Sequence, residues 1–242
     1  MSGSITLENR FGVNKMELIS LKYAIFVIVL LVLYYCFPKK YRWYVLLAGS
    51  MAYYVIICKW YVLFIIFTIC TTYGSTIWID KLLKEQNAIV KSHMEDWDRQ
   101  TRKEYKEKGR KKRVAVMLFA LLCNFGILAF LKYIPYAGEL GLLLPLGISF
   151  YTFQSMGYVM DVYREIVEPE KNFLKVALFV SFFPQIIQGP IAIYDKLAGQ
   201  LYEGHSLRLE NLQKGALLVL WGVMKKLVIA DRAVNIINLV MD

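Results

Sequence analysis

Few side chains in this sequence could do chemistry, and most of them lie in its second half. Three pairs of polar residues, each with a spacing of three, stand in or beside apolar runs: Tyr151 with Gln154, Asp161 with Arg164, and Gln185 with Gln188. This spacing places both members of a pair on one helix face. We treat all six as candidates for lining a substrate tunnel. Core packing with hydrogen bonds is the default interpretation of the first pair, and an interfacial ion pair is that of the second. For the third pair, bonds to proline-freed backbone and the lining of a polar track are equal alternatives.

The two histidines are weaker candidates for a functional role than these three pairs. His93 lies among charged residues and is expected on the surface, whereas His205 precedes Ser206, which begins a capping-box-like stretch ending at Glu210. We therefore predict that Ser206 caps a helix and that His205 is structural, with a catalytic role as the alternative. No catalytic residue and no metal site is assigned.

Several common chemistries lack their motifs. The four cysteines have no C-x-x-C spacing and are interpreted as small buried apolar residues: Cys36, Cys58, Cys70 and Cys123. A phosphate-binding glycine loop, H-E-x-x-H and G-x-S-x-G are all missing, which argues against nucleotide hydrolysis, zinc proteolysis and serine esterase activity. The apolar runs also lack acidic residues, which argues against a function in proton-coupled transport.

The composition indicates a membrane protein. Of 242 residues, 57% are hydrophobic and only 20% are charged, too few charges to cover a soluble core. Four uncharged runs predict the first spans: Tyr23 to Phe37, Trp43 to Cys58, Trp60 to Ile79, and Val114 to Leu131. We expect an all-α, multi-pass protein of the plasma membrane, built as a bundle of tilted and broken transmembrane helices.

The segment from Asp80 to Arg113 carries 12 of the basic and 7 of the acidic residues, and its basic end abuts the apolar run at Val114. The positive-inside rule predicts a cytoplasmic loop, an outside N-terminus and an outside turn at Lys59. Nucleic-acid binding is an alternative function for this basic segment, but the segment has mixed charge and few aromatic residues, which argues against it. An interfacial helix on anionic lipid fits better.

The later apolar runs are interrupted. The run Leu140 to Met160 contains Pro145 and Gly147, and Val176 to Tyr194 contains Pro184 and Pro190. We predict a helix from about Asn172 to Phe183, then a break, with the segment from Phe183 to Ile193 re-entrant or packed inside the bundle. A further helix is predicted from Leu212. The chain stops at Asp242 within an apolar run, and we expect it to be the N-terminal portion of a longer fold.

Four motifs in order resemble the membrane-bound O-acyltransferase family, in the branch of alginate O-acetylases and related polysaccharide acetylases. They are LPLGISFYTFQ from Leu144, DVYR from Asp161, FFPQ from Phe182 with QGPI from Gln188, and LWGVMKKLVIADR from Leu220. They place the family-like core within residues 140–232 of a single integral-membrane domain, residues 1–242.

The resemblance implies acyl transfer, most simply of acetyl, across the membrane to hydroxyls of an extracytoplasmic polysaccharide. It implies an acyl-CoA or acyl-carrier thioester as cytoplasmic donor, no bound cofactor, and a secreted acetyltransferase as partner. The family's catalytic histidine stands in a Trp-His pair, which this sequence lacks. We therefore expect the chain alone to be inactive. The rival interpretation is a non-catalytic membrane scaffold or a protein resembling a polysaccharide transporter.

Overall fold

The computed structural model describes residues 21–93, 96–133, 145–187, 191–230 and 232–233, and these residues form helices and connections without a β-strand. The helices are α1 Leu21–Cys36, α2 Arg42–Cys58, α3 Val62–Ser92, α4 Arg99–Tyr133, α5 Ile148–Tyr163, α6 Phe173–Ser181, α7 Phe183–Ile187, α8 Tyr194–Tyr202 and α9 Leu209–Met224. The protein is thus an all-α membrane protein, as its composition predicted. Gln188, Pro190, the start of the run at Leu140 and the chain's last residues lie outside the described ranges.

The first apolar runs form helices at the predicted places. The helical stretch Lys39–Ser92 and the helix Arg99–Tyr133 are each long and apolar enough to cross a membrane, while Leu21–Cys36 and Phe173–Ile186 are shorter apolar helices. A 3₁₀ turn, Lys59–Tyr61, separates α2 from α3. Helix α2 packs against α1 and α6, and α3 packs against α4, α5 and α6. The bundle therefore surrounds α5 and α6.

The connection predicted over residues 80–113 is largely helical. Helix α3 continues to Ser92 and α4 begins at Arg99, so the segment is a helical hairpin, here called the charged hairpin. Lys, Glu, Gln and Arg favour helix, and i,i+4 ion pairs such as Lys81 with Glu85 support it. The mixed charge of the segment is that of a solvated helical surface.

Gln86 locks the two arms of this hairpin together. Its buried side-chain Nε2 donates to the carbonyls of Tyr105 and Lys106, at 3.2 and 2.9 Å. Gly109 makes room for it, because a Cβ there would overlap the Gln86 side chain. The hairpin is therefore a rigid continuation of α3 and α4.

Polar side chains of α3 and α5 are buried inside the bundle. Helix α3 buries Thr68, Thr72, Ser75 and Thr76, and α5 buries Thr152, Gln154 and Ser155. Asn124 on α4 donates to the hydroxyl of Thr71 on α3 at 2.9 Å. Small polar residues of this kind let apolar-facing helices approach closely and hydrogen-bond across their interface.

The segment containing α6 and α7 enters and leaves the bundle at the same level. The Tyr158 hydroxyl accepts the N–H of Glu170 at 2.8 Å, while the Tyr158 ring stacks on Tyr194 at 4.2 Å between centroids. The far point is Ile186, which lies against Gly147. Gly147 precedes Tyr158 by eleven positions, or about 16 Å along a helix. As far as the structure describes it, the segment from residue 170 to 194 is here called the re-entrant segment; within the predicted stretch from Phe183 to Ile193, residues 188–190 lie outside the described residues.

Helix α8 returns the chain alongside the start of α6. The hydroxyl of Tyr202 donates to the carbonyl of Lys175 at 2.8 Å, and burial raises the pKa of this phenol. Helix α9, three residues longer at its start than predicted, buries none of its residues, and it continues as a π-helical stretch from Lys225 to Ala230. Helices α1 to α8 therefore form the body that positions the candidate site.

The cysteine prediction holds only in part. Cys58 is buried and Cys123 half-buried, but Cys36 and Cys70 are exposed on the outside of the helices, and all four are free thiols. An outward position suits a small apolar residue on a helix that faces lipid, since it has no need of burial there.

Candidate functional site

The break between α6 and α7 is the centre of the candidate site. Phe182 leaves the helix with an extended ψ of 105°, and Pro184 then occupies the first turn of α7, where its missing N–H costs nothing. The N–H of Phe183 donates to the Ser50 hydroxyl at 3.4 Å. Ser50 stands midway along α2, so freed backbone is satisfied by protein halfway through the bundle.

Two of the predicted site residues lie on the buried face of α5. Gln154 Nε2 donates to the carbonyl of Phe179 at 2.9 Å, which ties α5 to α6. The Tyr151 ring meets the Tyr54 ring edge-on at 6.3 Å. The default prediction of core packing with hydrogen bonds therefore describes Gln154 well. The Tyr151 ring is packed in the core, but its hydroxyl forms no hydrogen bond that meets the usual geometry within the described residues.

Six buried side-chain oxygens have no hydrogen-bond partner among the described residues. Four lie on α2, α5 and α7, namely Tyr53 Oη, Tyr54 Oη, Tyr151 Oη and Gln185 Oε1, and the other two, Thr72 Oγ1 and Asn124 Oδ1, lie on α3 and α4. Helix α7 packs against both α2 and α5, so the three elements share one region. An unpaired polar group in an apolar interior is costly. Four of the six therefore lie on the elements that meet at the break.

A cavity of about 400 Å³ opens beside the break, between α1, α2 and α8. Its walls are mainly apolar and include Val27, Leu30, Leu31, Leu46, Phe183 and Leu201. Its polar rim consists of Tyr34, Tyr35, Gln200 and His205. Apolar walls with a few polar groups at one end are typical of sites that bind small amphipathic ligands.

His205 lies at this rim, and the predicted cap does not form. Helix α9 begins at Leu209 after an extended Arg208, with no side-chain cap, so Ser206 has no capping role. The carbonyl of His205 accepts from Arg42, and its N–H donates to the Tyr34 hydroxyl at 3.3 Å. These contacts hold the chain extended before α9. The imidazole Nε2 donates to the carbonyl of Gln200 at 3.0 Å.

Asp161 and Arg164 do not pair, which corrects the predicted local ion pair. Helix α5 ends at Tyr163, Arg164 follows it, and Glu165 takes a positive φ of 62°. Arg164 is the C-terminal cap of α5 and its N–H still donates to the Met160 carbonyl at 2.9 Å, yet Asp161 and Arg164 are not among the ion pairs of the described residues. Instead, Glu165 pairs with the buried Arg113 at 2.9 Å.

The predicted residues thus fall into two groups. Gln185 lies on α7 directly after the break, and Tyr151 and Gln154 lie on α5, which packs against α6 and α7, but none of the three lines the cavity. Asp161 lies further along α5, about 15 Å from Tyr151 along the helix. Within the described residues no cluster of His, Cys, Asp and Glu could hold a metal ion. The cavity rim was missed by sequence reasoning, because its residues come from α1, α8 and the segment after α8.

Comparison with known proteins identifies several relatives over part of the chain. A protein of Pseudomonas syringae pv. tomato named "Probable alginate O-acetylase AlgI" is 40% identical over 89 residues, which are 37% of this chain and 17% of the relative. The peptidoglycan O-acetyltransferase of Helicobacter pylori is 30% identical over 164 residues, 52% of this chain and 31% of the relative. A protein of Pseudomonas putida that is also named "Probable alginate O-acetylase AlgI" is 34% identical over 114 residues, which are 47% of this chain and 22% of the relative.

The chain spans between about a sixth and a third of the length of these relatives. No protein-family model matches it, and no solved structure does. The relatives nevertheless share a chemistry by name, since each is an O-acetylase or O-acetyltransferase of a polysaccharide. They confirm that this chain resembles the membrane-bound O-acyltransferase family, in its branch of polysaccharide O-acetylases.

Proposed function

We propose that this chain is the N-terminal part of a membrane O-acyltransferase that moves an acyl group, most simply acetyl, across the membrane to polysaccharide hydroxyls. The re-entrant segment supports this best. It enters and leaves at the level of Tyr158 and is broken at Phe182, opposite the midpoint of α2. Irregular backbone at such depth is tolerated only inside protein or along a water-filled path. A path of that kind is what transfer across a membrane requires.

The donor side is proposed to be the end that carries the charged hairpin. The rim of the cavity lies beside the basic turn after α1, where Gly204 approaches Lys39 closely and Arg42 bonds to His205. By the positive-inside rule this end faces the cytoplasm. An acyl-CoA or acyl-carrier thioester can then present its acyl end to the cavity, with no bound cofactor. Labelling of a Ser92→Cys variant by an impermeant reagent in intact cells would contradict this orientation.

The acceptor is proposed to be an extracytoplasmic polysaccharide, because the relatives are named for alginate and peptidoglycan. A secreted acetyltransferase is the proposed partner that completes the modification. Tyr151, Gln154, Gln185 and Gln188 are proposed to line the path, and Asp161 and Arg164 to lie at its donor end.

A sugar hydroxyl is a weak nucleophile near neutral pH and needs a general base or an equivalent stabilising group. The chain has no Trp-His pair, and His205 is engaged through its Nε2. We therefore propose that the chain alone does not catalyse transfer. Turnover by the purified chain in liposomes supplied with acetyl-CoA and polysaccharide would contradict this. A second candidate function, a scaffold without transfer, has no described contact that favours it.

Filling the cavity tests the proposed function in the cells that make the protein. Leu31 lines the cavity and is 40% exposed, so a Leu31→Trp variant narrows the cavity without disturbing the buried core. We expect a drop of about tenfold in alkali-releasable acetate on the cell-surface polysaccharide, because the donor is displaced from its productive position.

The control for this variant is Leu33→Trp, on the same helix, 46% exposed and not among the cavity residues. It should leave the acetate content unchanged. Equal acetate in the Leu31→Trp variant and the parent, with both proteins present in the membrane at equal levels, would show that the cavity does not hold the donor.

A further inference from the structure

A basic cleft lies on the charged hairpin, away from the cavity beside the break. It has a volume of about 420 Å³ and is lined by Lys103, Lys106, Glu107, Arg110 and Arg113 of α4. The four cations are spaced three, four and three residues apart, so they share one face of the helix. Among the described residues that line the cleft, Glu107 carries the one negative charge.

Three of the four cations of this cleft have no ion-pair partner among the described residues, whereas two lysines on the other arm of the hairpin do. Lys81 and Lys84 on α3 pair with Glu85 and Asp80. By contrast, Lys103, Lys106 and Arg110 form no ion pair with any carboxylate of the described residues. Their charges are therefore available to an external anion.

Arg113 provides a second and independent observation. It is only 8% exposed, and one terminal nitrogen donates to Glu165 at 2.9 Å, yet its Nε is buried without a partner among the described residues. A planar guanidinium with one nitrogen fixed and another free is well suited to a phosphate oxygen. Glu165 holds the side chain in position for that contact.

The depth of the cleft indicates where the anion comes from. The apolar run begins at Val114, so Arg113 stands at its edge, and Arg110 lies about 5 Å further out along the helix. The headgroup layer of one leaflet is about 5 to 7 Å thick. Arg110 and Arg113 are thus level with lipid phosphates, whereas Lys103 lies about 15 Å beyond the edge.

We infer that the basic cleft binds the phosphate of an anionic phospholipid headgroup, with Arg110 and Arg113 as the principal contacts and Lys106 as a supporting charge. This site is separate from acyl transfer and does not depend on it. It holds the charged hairpin against the membrane surface, beside the entry of α4 into the apolar layer.

Native mass spectrometry of the purified chain in detergent, with phosphatidylglycerol or phosphatidylcholine added, tests this inference. We expect the parent chain to retain phosphatidylglycerol in preference to phosphatidylcholine. A Lys106→Gln/Arg110→Gln variant should lose about thirtyfold in affinity for phosphatidylglycerol, given the usual contribution of a cation near an anionic surface. Both positions are exposed, so the variant keeps the fold.

The matched control is Lys81→Gln/Lys84→Gln, which removes the same charge from the other arm of the hairpin, where the lysines are already paired. It should retain phosphatidylglycerol as the parent does. An equal loss of phosphatidylglycerol binding in this control would show that only the net charge of the hairpin matters, and it would overturn the inference. Equal binding of phosphatidylglycerol and phosphatidylcholine by the parent chain would also overturn it.

Two further comparisons separate a lipid from a soluble phosphate compound. For a headgroup, Arg110→Gln must weaken phosphatidylglycerol binding more than Lys103→Gln does, because Lys103 lies beyond the headgroup layer. Inorganic pyrophosphate at millimolar concentration should leave the lipid adduct in place. If pyrophosphate displaces the lipid and Lys103→Gln is the more harmful change, the cleft serves a soluble phosphate ligand and the lipid assignment is wrong.

Discussion

A Gly147→Ala variant should lower the free energy of unfolding by about 3 kcal/mol. Gly147 has φ +70° and ψ 11° at the third position of a turn in which Ile148 N–H donates to the Pro145 carbonyl at 3.3 Å. These angles suit a type II turn, where a residue with a side chain is strained by about 1 to 2 kcal/mol. The added Cβ would also overlap the side chain and carbonyl of Ile186, and overpacking costs about 1 to 3 kcal/mol.

The measurement is thermal unfolding of the detergent-purified protein, where this loss should lower the midpoint by roughly 6 to 12 °C. Gly157→Ala on the same helix is the control, because a Cβ there meets nothing within 4 Å and alanine favours helix, with an expected gain of about 0.5 to 1 kcal/mol. Gly147→Asn separates the two causes, since asparagine tolerates positive φ but keeps the overlap with Ile186. An unchanged midpoint for Gly147→Ala would mean that α7 does not pack against this turn.

The positions of the helices were predictable where local signals were strong. The uncharged runs marked both ends of α1 and α2, the start of α3 and the end of α4 to within about two residues. Pro184 marked the break, because a helix cannot continue unchanged through a residue that lacks an N–H. The inward position of Thr152 and Ser155 also followed, since hydroxyls in an apolar layer seek protein partners. These predictions needed only the nearest residues in the chain.

The features that local patterns did not reveal have a different physical origin. The charged hairpin is helical partly because Gln86 bonds to carbonyls about twenty residues further along, a contact that no local pattern reveals. Ser206 has the right neighbours for a cap, yet Arg42 and Tyr34 hold His205 from more than 160 residues away and keep this stretch extended. Long-range contacts outweigh capping signals, which contribute about 1 kcal/mol.

The sequence predicted individual residues of the candidate site, but it did not predict where in the fold they lie or that a cavity opens beside the break. Tyr151 and Gln185 have buried oxygens that remain unpaired among the described residues, whereas Gln154 is consumed by a bond to Phe179. The cavity rim combines α1 with the segment after α8, and its composition resembles that of any surface. Only the path of the chain through the re-entrant segment brings these elements together.

Tyr158→Ala should release the whole re-entrant segment. The Tyr158 ring stacks on Tyr194 and meets Phe179 edge-on, while its hydroxyl accepts the N–H of Glu170. The ring is 1% exposed, and loss of a large buried aromatic side chain costs about 3 to 5 kcal/mol. Tyr158→Phe keeps the ring and removes only the acceptor, at about 1 kcal/mol.

The position along the chain at which hydrogen exchange rises in Tyr158→Ala is a more specific test than the loss of stability. Tyr158 holds both ends of residues 170–194, so hydrogen exchange should rise in peptides covering α6 and α7 of Tyr158→Ala while peptides from α4 stay protected. Tyr133→Ala, at a residue that is 72% exposed, should change neither region. If exchange rises evenly across all helices, Tyr158 contributes only to general packing, and the segment has another anchor. A rise confined to residues 170–194 means that this segment opens as a unit, which a path for acyl transfer through the bundle would use.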